Sequence, residues 1–408
     1  MDITLLKSKV KKRQSKITIT GSKSESNRLL LLQALYPELE IKNVSNSDDS
    51  KLMQKALETS SNNIDIHHAG TAMRFLTAFF STQKDREVIL TGSSRMQERP
   101  IQILVEALQQ LGAEISYEKH HGYPPIKISG KEFTKHKVSL KANVSSQYIS
   151  ALLLIASKLK NGLELTLEGK ITSVPYINMT LALLSDLGVE TSFVDNTIHV
   201  KPNTLQLKKQ TLVVESDWSS ASYFYSVVAM SDIGTEIKLS AYKQNSLQGD
   251  SVLAEIYKDF GVETVFSDNS ISLVKARDYK LKTINCELSN APDIAQTIAV
   301  TCLGLGVGCD LTGLHTLKIK ETDRLVALKT EIEKFGTAVT ITEDSLCIEK
   351  VSSLTEGVSV ETYHDHRMAM AFAPLALKIG FKINEADVVS KSYPDFWKDL
   401  DEIGFSIA

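Results

Sequence analysis

Residues 21–28 read GSKSESNR and combine Gly21, three serine hydroxyls, Lys23 and Arg28 between an alternating run at 17–20 and an apolar run at 29–32. A strand, a polar turn and then a helix make a pocket for an anion, because the free backbone N–H groups of a helix start carry partial positive charge. The residue order differs from a nucleotide P-loop, in which the lysine comes last, so a small phosphate or carboxylate suits this turn better than a nucleotide. Taken alone, the stretch reads equally well as a helix N-cap with a solvated first turn.

The same ingredients recur. AGTAMR at 69–74 sets Gly70 and a threonine before an apolar helix, and SSRMQERP at 93–100 places Arg95 and Arg99 in a turn ahead of Pro100. Ser145, Ser146 and Gln147, and further on Ser173 and Tyr176, offer uncharged donors for phosphate or hydroxyl oxygens. In the second half, KETDRL at 320–325 is expected to open a long helix with Lys320 and Arg324 on one face, where two cations oppose the helix dipole unless an anion lies between them. DHRMAM at 365–370 brings Arg367 to the front of another apolar run, Lys391 lies in the loop KSYP, and Asp293 precedes the apolar helix 294–303 as N-cap or general base. His364 and His366 stand two apart, a spacing that does not favour a shared metal. Lys23, Arg28, Arg95, Lys320, Arg324, Arg367 and Lys391 thus gather at helix starts from both halves, and if those starts converge, the ligands are anions, two of them.

The elements that must position these groups show a repeat. Five amphipathic runs end at Gly112, Gly188, Gly261, Gly336 and Gly404, spaced 76, 73, 75 and 68 apart, each followed by an alternating strand-like segment. A sixth copy at 52–66 closes its helix with a polar turn. Six such units suit two domains of three α/β units each, with domain crossings near Thr20 and Glu215. No GxGxxG opens a helix, which speaks against a Rossmann sheet.

At 408 residues the chain is long for one core, and its 46 basic against 49 acidic residues give a net charge of −3, so a nucleic-acid partner is not expected. The four cysteines lack CxxC spacing, and no apolar run is long enough to span a bilayer; a cytoplasmic protein is the simplest expectation. The basic N-terminal stretch lacks the apolar run of a secretory signal.

In order along the chain, GSKSESNR, AGTAMR, RMQERP, SSQ, KETDRL, DHRMAM and KSYP resemble the 3-phosphoshikimate 1-carboxyvinyltransferase (EPSP synthase) family. The resemblance implies a two-domain inside-out α/β barrel, with residues 20–215 forming one domain and 1–19 with 216–408 the other, and the active site in the cleft between them. It implies transfer of the enolpyruvyl group of phosphoenolpyruvate to the 5-hydroxyl of shikimate 3-phosphate, by a monomer without metal or organic cofactor. By the same resemblance Lys23, Ser24, Arg28, Ser145, Ser146, Gln147, Ser173, Tyr176, Asp293, Thr316 and Lys320 hold shikimate 3-phosphate. Lys23, Gly70, Arg95, Gln147, Arg324, Arg367 and Lys391 hold phosphoenolpyruvate. Asp293 takes the hydroxyl proton, and Glu321 with Lys23 delivers one to the methylene carbon. Two positions depart from the family pattern, His68 and Thr316, each standing where asparagine is usual. A UDP-N-acetylglucosamine enolpyruvyl transferase shares fold and chemistry, but the cysteine expected of it near Arg95 is absent from 92–100. A binding protein on the same fold is a third reading.

Overall fold

Gly112, Gly188, Gly261, Gly336 and Gly404 all take positive φ in the computed structural model, which describes residues 1–11, 13–141, 145–169, 171, 174–203, 209–279 and 282–408. Gly112 shows why the residue must be glycine: at φ 113° its N–H reaches back to the carbonyls of Leu108 and Gln109, ending the helix Gln102–Leu111, and the strand Glu114–Tyr117 starts two residues on. The other runs form the helices Val174–Asp186, Arg324–Glu333 and Phe396–Ile403. Before Gly261 the expected helix is broken into the single α-turn Leu253–Ile256 between two 3-10 turns.

These glycine-ended helices are the second of two in a recurring β-α-β-α-β-β unit. In residues 63–129 the strands Asn63–Asp65 and Glu87–Thr91 pair in parallel across the helix Gly70–Ser81. The helix Gln102–Leu111 then leads to the antiparallel strands Glu114–Tyr117 and Ile126–Ser129. A parallel pair needs such a crossover, which is why a helix always intervenes. Four more four-stranded sheets repeat the pattern of one parallel pair followed by two antiparallel pairs. The sixth sheet is reduced to the parallel pair Leu39–Lys42 with Gln210–Val213.

The chain divides into two compact units, Gly21–Val214 and Met1–Thr20 with Glu215–Ala408, each holding three of the six sheets found among the described residues. The second unit needs its N-terminal stretch: Ile3–Leu6 lies between Phe381–Ile383 and Ser406–Ile407, and Gln14–Ile17 pairs with Glu236–Ser240. The strand expected at 17–20 ends at Ile17. Beyond it the carbonyls of Ile19 and Thr20 turn from the ladder to accept the Ser216 hydroxyl and the Asp217 N–H.

In each unit the first helices of the repeats form the interior. Trp218–Met230 is buried along its whole length and Ala295–Leu305 at every residue but Gly304, as expected of helices apolar all round. Trp218–Met230 packs on Ala295–Leu305, which packs on His366–Phe372, and in the other unit Gly70–Ser81 packs on Lys23–Leu35 and Ser146–Ala156. A helix buried on all sides can expose polar groups only at its ends, and that is where the chemistry-bearing residues lie. Among the described residues, no helix is long and apolar enough to cross a membrane, and no group of three or more His, Cys, Asp or Glu could hold a metal ion.

Candidate active site

In the unit built from Met1–Thr20 and Glu215–Ala408, Arg324 is the hub. Its buried guanidinium donates Nη1 to Asp293 at 2.8 Å, Nη2 to Glu321 at 2.8 Å and Nε to Asp365 at 2.6 Å. Burial alone would push this guanidinium down, but Asp365, Glu321 and Asp293 outweigh it and hold the proton more tightly than usual. Asp293 is shared further, with Lys320 Nζ at 3.4 Å and Arg367 Nη2 at 3.4 Å. Three cations therefore meet one carboxylate.

Local capping sets these directions. Asp323 accepts the N–H groups of Leu325 and Val326, so the helix begins at Arg324 and Lys320 precedes it after the 3-10 turn His315–Ile319. The expectation that Lys320 and Arg324 share a helix face is corrected on this point; they meet at Asp293 across a non-helical segment instead. Asp365 caps the next helix by accepting the Arg367 N–H at 2.8 Å while it holds Arg324. Asp293 lies in the 3-10 turn Pro292–Ile294 and caps nothing with its side chain; Ile294 stands at the cap of Ala295–Leu305. Behind Arg367, the Ser219 hydroxyl accepts its Nη2 at 3.2 Å and donates to Asp250. Burial first, and then the charge of Asp293, raise the Asp250 carboxyl to about 7. Lys391 Nζ donates to the His364 carbonyl at 2.7 Å, and the Thr316 hydroxyl is buried without a hydrogen-bond partner.

In the unit Gly21–Val214, Lys23 is the first residue of the helix Lys23–Leu35, whose start has no side-chain cap. Its ammonium lies 3.6 Å from Asp49, and His68 Nε2 lies 3.7 Å from the other oxygen of that carboxylate. Arg28 is buried and committed to the protein: it donates to the Ser24 carbonyl at 2.7 Å, Ser150 at 2.8 Å and Thr180 at 2.8 Å, and lies over the rings of Phe75 and Tyr176. Burial lowers its pKa to about 10. Gln147 Nε2 donates to Thr71 Oγ1 at 3.2 Å, tying the segment after Ser145 to the helix start at Gly70. Ser145 caps the helix Ser146–Ala156 by accepting the Gln147 N–H.

The two arginines of the 93–100 turn separate. Arg95 is exposed and pairs with Glu98 at 2.9 Å, whereas a Cβ built on Gly70 would lie 2.5 Å from Arg99 Nη1 and 3.0 Å from its Cζ. The absent side chain at position 70 is what lets the Arg99 guanidinium rest there. Arg99 and Asp49 are the residues that sequence reasoning missed. Asp49 reads as a first-turn acid answering a helix dipole, and nothing in the spacing of RMQERP says which arginine faces Gly70. Ser173 lies outside the described residues. The structure brings Asp293, Lys320, Glu321, Arg324 and Arg367 into one cluster, and draws Lys23, Ser24, Arg28, Tyr176, Gly70 and Gln147 to neighbouring helix starts.

A family model described as EPSP synthase (3-phosphoshikimate 1-carboxyvinyltransferase) matches residues 55–400. A 3-phosphoshikimate 1-carboxyvinyltransferase of Bacteroides fragilis is 47% identical over 397 residues, covering 96% of this chain and 95% of that protein. One from Shewanella halifaxensis is 35% identical, covering 97% and 98%. Among solved structures, EPSP synthase from Acinetobacter baumannii superposes with a TM-score of 0.81 at 21% identity, covering 100% of this chain and 99% of that one. The enolpyruvyl transferase NikO from Streptomyces tendae gives 0.73 at 12% identity, covering 100% and 98%.

Proposed function

The chain belongs to the EPSP synthase (3-phosphoshikimate 1-carboxyvinyltransferase) family, and from that premise we infer that it transfers the enolpyruvyl group of phosphoenolpyruvate to the 5-hydroxyl of shikimate 3-phosphate, releasing phosphate. The observation that carries the reading to particular residues is the convergence of Lys320, Arg324 and Arg367 on Asp293.

In this reading Arg324, Arg367 and Lys391 hold the anionic groups of phosphoenolpyruvate, together with Lys23, Gly70 and Gln147. Arg99 joins them on the strength of its place at Gly70, ahead of Arg95. Ser24, Arg28, Ser145, Ser146, Gln147, Ser173, Tyr176, Thr316 and Lys320 serve shikimate 3-phosphate; Arg28 does so as a brace whose own donors are spent on Ser24, Ser150 and Thr180. Asp293 accepts the 5-hydroxyl proton as that oxygen attacks C2 of phosphoenolpyruvate. Glu321 and Lys23 supply the proton that C3 gains, giving a tetrahedral adduct. Loss of the C3 proton and of phosphate from C2 then forms the enol ether. Arginines suit the task, since their planar forks pair with carboxylate or phosphate in two parallel hydrogen bonds.

The wider reading is of two inside-out α/β barrels, residues 20–215 and residues 1–19 with 216–408, whose residues act on the same substrate pair in a cytoplasmic monomer. Phosphate release measured with both substrates, with each alone, and with UDP-N-acetylglucosamine in place of shikimate 3-phosphate tests the assignment. Turnover requiring shikimate 3-phosphate and phosphoenolpyruvate together is expected. Turnover with the nucleotide sugar, or none with either acceptor, would overturn it.

A further inference from the structure

Tyr363 and His364 are consecutive non-glycine residues at φ 53° and 55°. This left-handed conformation is unfavourable for an L-residue and persists only where the surroundings impose it. Glu331 imposes it. Its carboxylate is fully buried and accepts the Tyr363 hydroxyl at 2.6 Å, the Glu361 N–H at 3.0 Å and Lys334 Nζ at 2.6 Å. Burial, followed by the neighbouring Glu331, pushes the Tyr363 phenol up, so it remains a donor. Glu331 belongs to the helix Arg324–Glu333, so the element that begins with the hub arginine also grips this turn near its other end.

The turn feeds three groups into the cluster. The His364 carbonyl receives Lys391 Nζ at 2.7 Å, the Asp365 carboxylate receives Arg324, and Asp365 caps the helix that aims Arg367. A second tie runs from His364 Nδ1 to Glu385 at 3.1 Å, just ahead of the 3-10 turn Ala386–Lys391. We propose that Glu331 and Tyr363 are positioning residues that hold the left-handed turn and thereby place Arg367 and Lys391 for the anionic substrate. The inference rests on the reading above, that Arg367 and Lys391 hold phosphoenolpyruvate. For anchoring a helix end, Lys334 would already satisfy the charge of Glu331; its bonds to Tyr363 and Glu361 serve the turn.

The test compares Tyr363→Phe, Glu331→Gln and Lys391→Ala, measuring KM for each substrate, kcat and thermal midpoint. Loss of the Tyr363 hydrogen bond is expected to raise KM for phosphoenolpyruvate about fivefold to tenfold with KM for shikimate 3-phosphate nearly unchanged, and to lower the midpoint because a buried carboxylate loses a donor. Glu331→Gln keeps an acceptor for Tyr363 and is expected to show a smaller shift in the same parameter. If Lys391→Ala raises KM for phosphoenolpyruvate while folded Tyr363→Phe and Glu331→Gln proteins keep the wild-type value, the positioning role is wrong. Equal changes in both KM values together with a lowered midpoint would reduce it to general stability and also overturn it. If Lys391→Ala leaves KM for phosphoenolpyruvate unchanged, the substrate assignment fails and takes this inference with it.

Discussion

At the scale of single residues, the cations Lys320, Arg324 and Arg367 are each paired with carboxylates of the protein. Arg324 faces three carboxylates, and Asp293 faces three cations. An incoming anion competes with these partners, so the affinity of each arginine for substrate is a difference between two charge-assisted sets of bonds. Among the described residues Arg99 faces no carboxylate, and it sits against a glycine, which makes it the cleaner hydrogen-bond donor to an anion. Arg99→Ala is expected to raise KM for phosphoenolpyruvate by about tenfold or more, the loss of one hydrogen bond to a charged group, whereas Arg95→Ala stays within about twofold. Steady-state kinetics of the two variants decides between them, and the reverse order would sink the assignment. The distinction was illegible in RMQERP because both arginines lie in one short polar stretch ahead of the same helix; only the fold of the turn Ser94–Gln97 sends one to Glu98 and the other to Gly70. Asp250 allows a pH test. Folded, its carboxyl ionises near 7, raised by burial and then by Asp293, from an ordinary value of 3.8. The folded state thus holds a proton that the unfolded chain has lost between those values, and the stability this proton confers disappears as pH rises through the folded value. Asp250→Asn mimics the protonated acid, so its melting temperature relative to wild type should increase from about pH 5 to about pH 8. A constant offset across that range would contradict the shift.

At the scale of elements, capping decides where each cation is aimed. Asp323, Asp365 and Asp217 cap the helices that carry or flank Arg324, Arg367 and Ser219. The starts at Lys23, Gly70 and Ala295 lack a side-chain cap, and at Ala295 the backbone N–H bonds to the Pro292 carbonyl instead. Removing the Asp323 cap should cost about 1 kcal/mol of stability, and because the same cap fixes the first helical residue, Asp323→Ala should also raise KM for phosphoenolpyruvate. Denaturant unfolding together with kinetics checks both; a stability loss with intact KM would separate the cap from the aim of Arg324. Helix ends were the most legible feature of the sequence, because the left-handed glycine at positions such as 112 and 404 is a local requirement. Helix starts were less so. Glu321 and Asp323 are equally good first-turn acids by type, and only the bonds of Asp323 to Leu325 and Val326 show that Lys320 falls outside the helix.

At the scale of the whole molecule, the two units differ in how they are assembled from the chain. Gly21–Val214 is continuous, and its ends are joined by the pairing of Gln210–Val213 with Leu39–Lys42 and by the bond from Asn43 Nδ2 to the Val214 carbonyl at 2.9 Å. It has its own core around Gly70–Ser81 and Ser146–Ala156. A fragment of residues 21–214 should therefore fold cooperatively alone, giving a single unfolding transition and dispersed amide resonances; a fragment of 215–408, lacking Ile3–Leu6 and Gln14–Ile17, should not. A 21–214 fragment without a cooperative transition would refute this. The six-fold repeat that underlies both units was visible as glycine spacing. The reduced sheet at Leu39–Lys42 was not, because its parallel partner lies far away in sequence and leaves no local signature.

The strand Ile3–Leu6 is hydrogen-bonded on both edges to residues near the other end of the chain, at 381–383 and 406–407. In translation its partners are made only after the whole of Gly21–Val214 and most of the second unit. With synthesis at roughly 5–20 residues per second, the apolar side chains of Ile3 and Leu5 must wait tens of seconds for their sheet, while the unit 21–214 completes behind them. During that wait the segment's positive charge comes from Lys7, Lys9 and Lys11, which follow the strand directly.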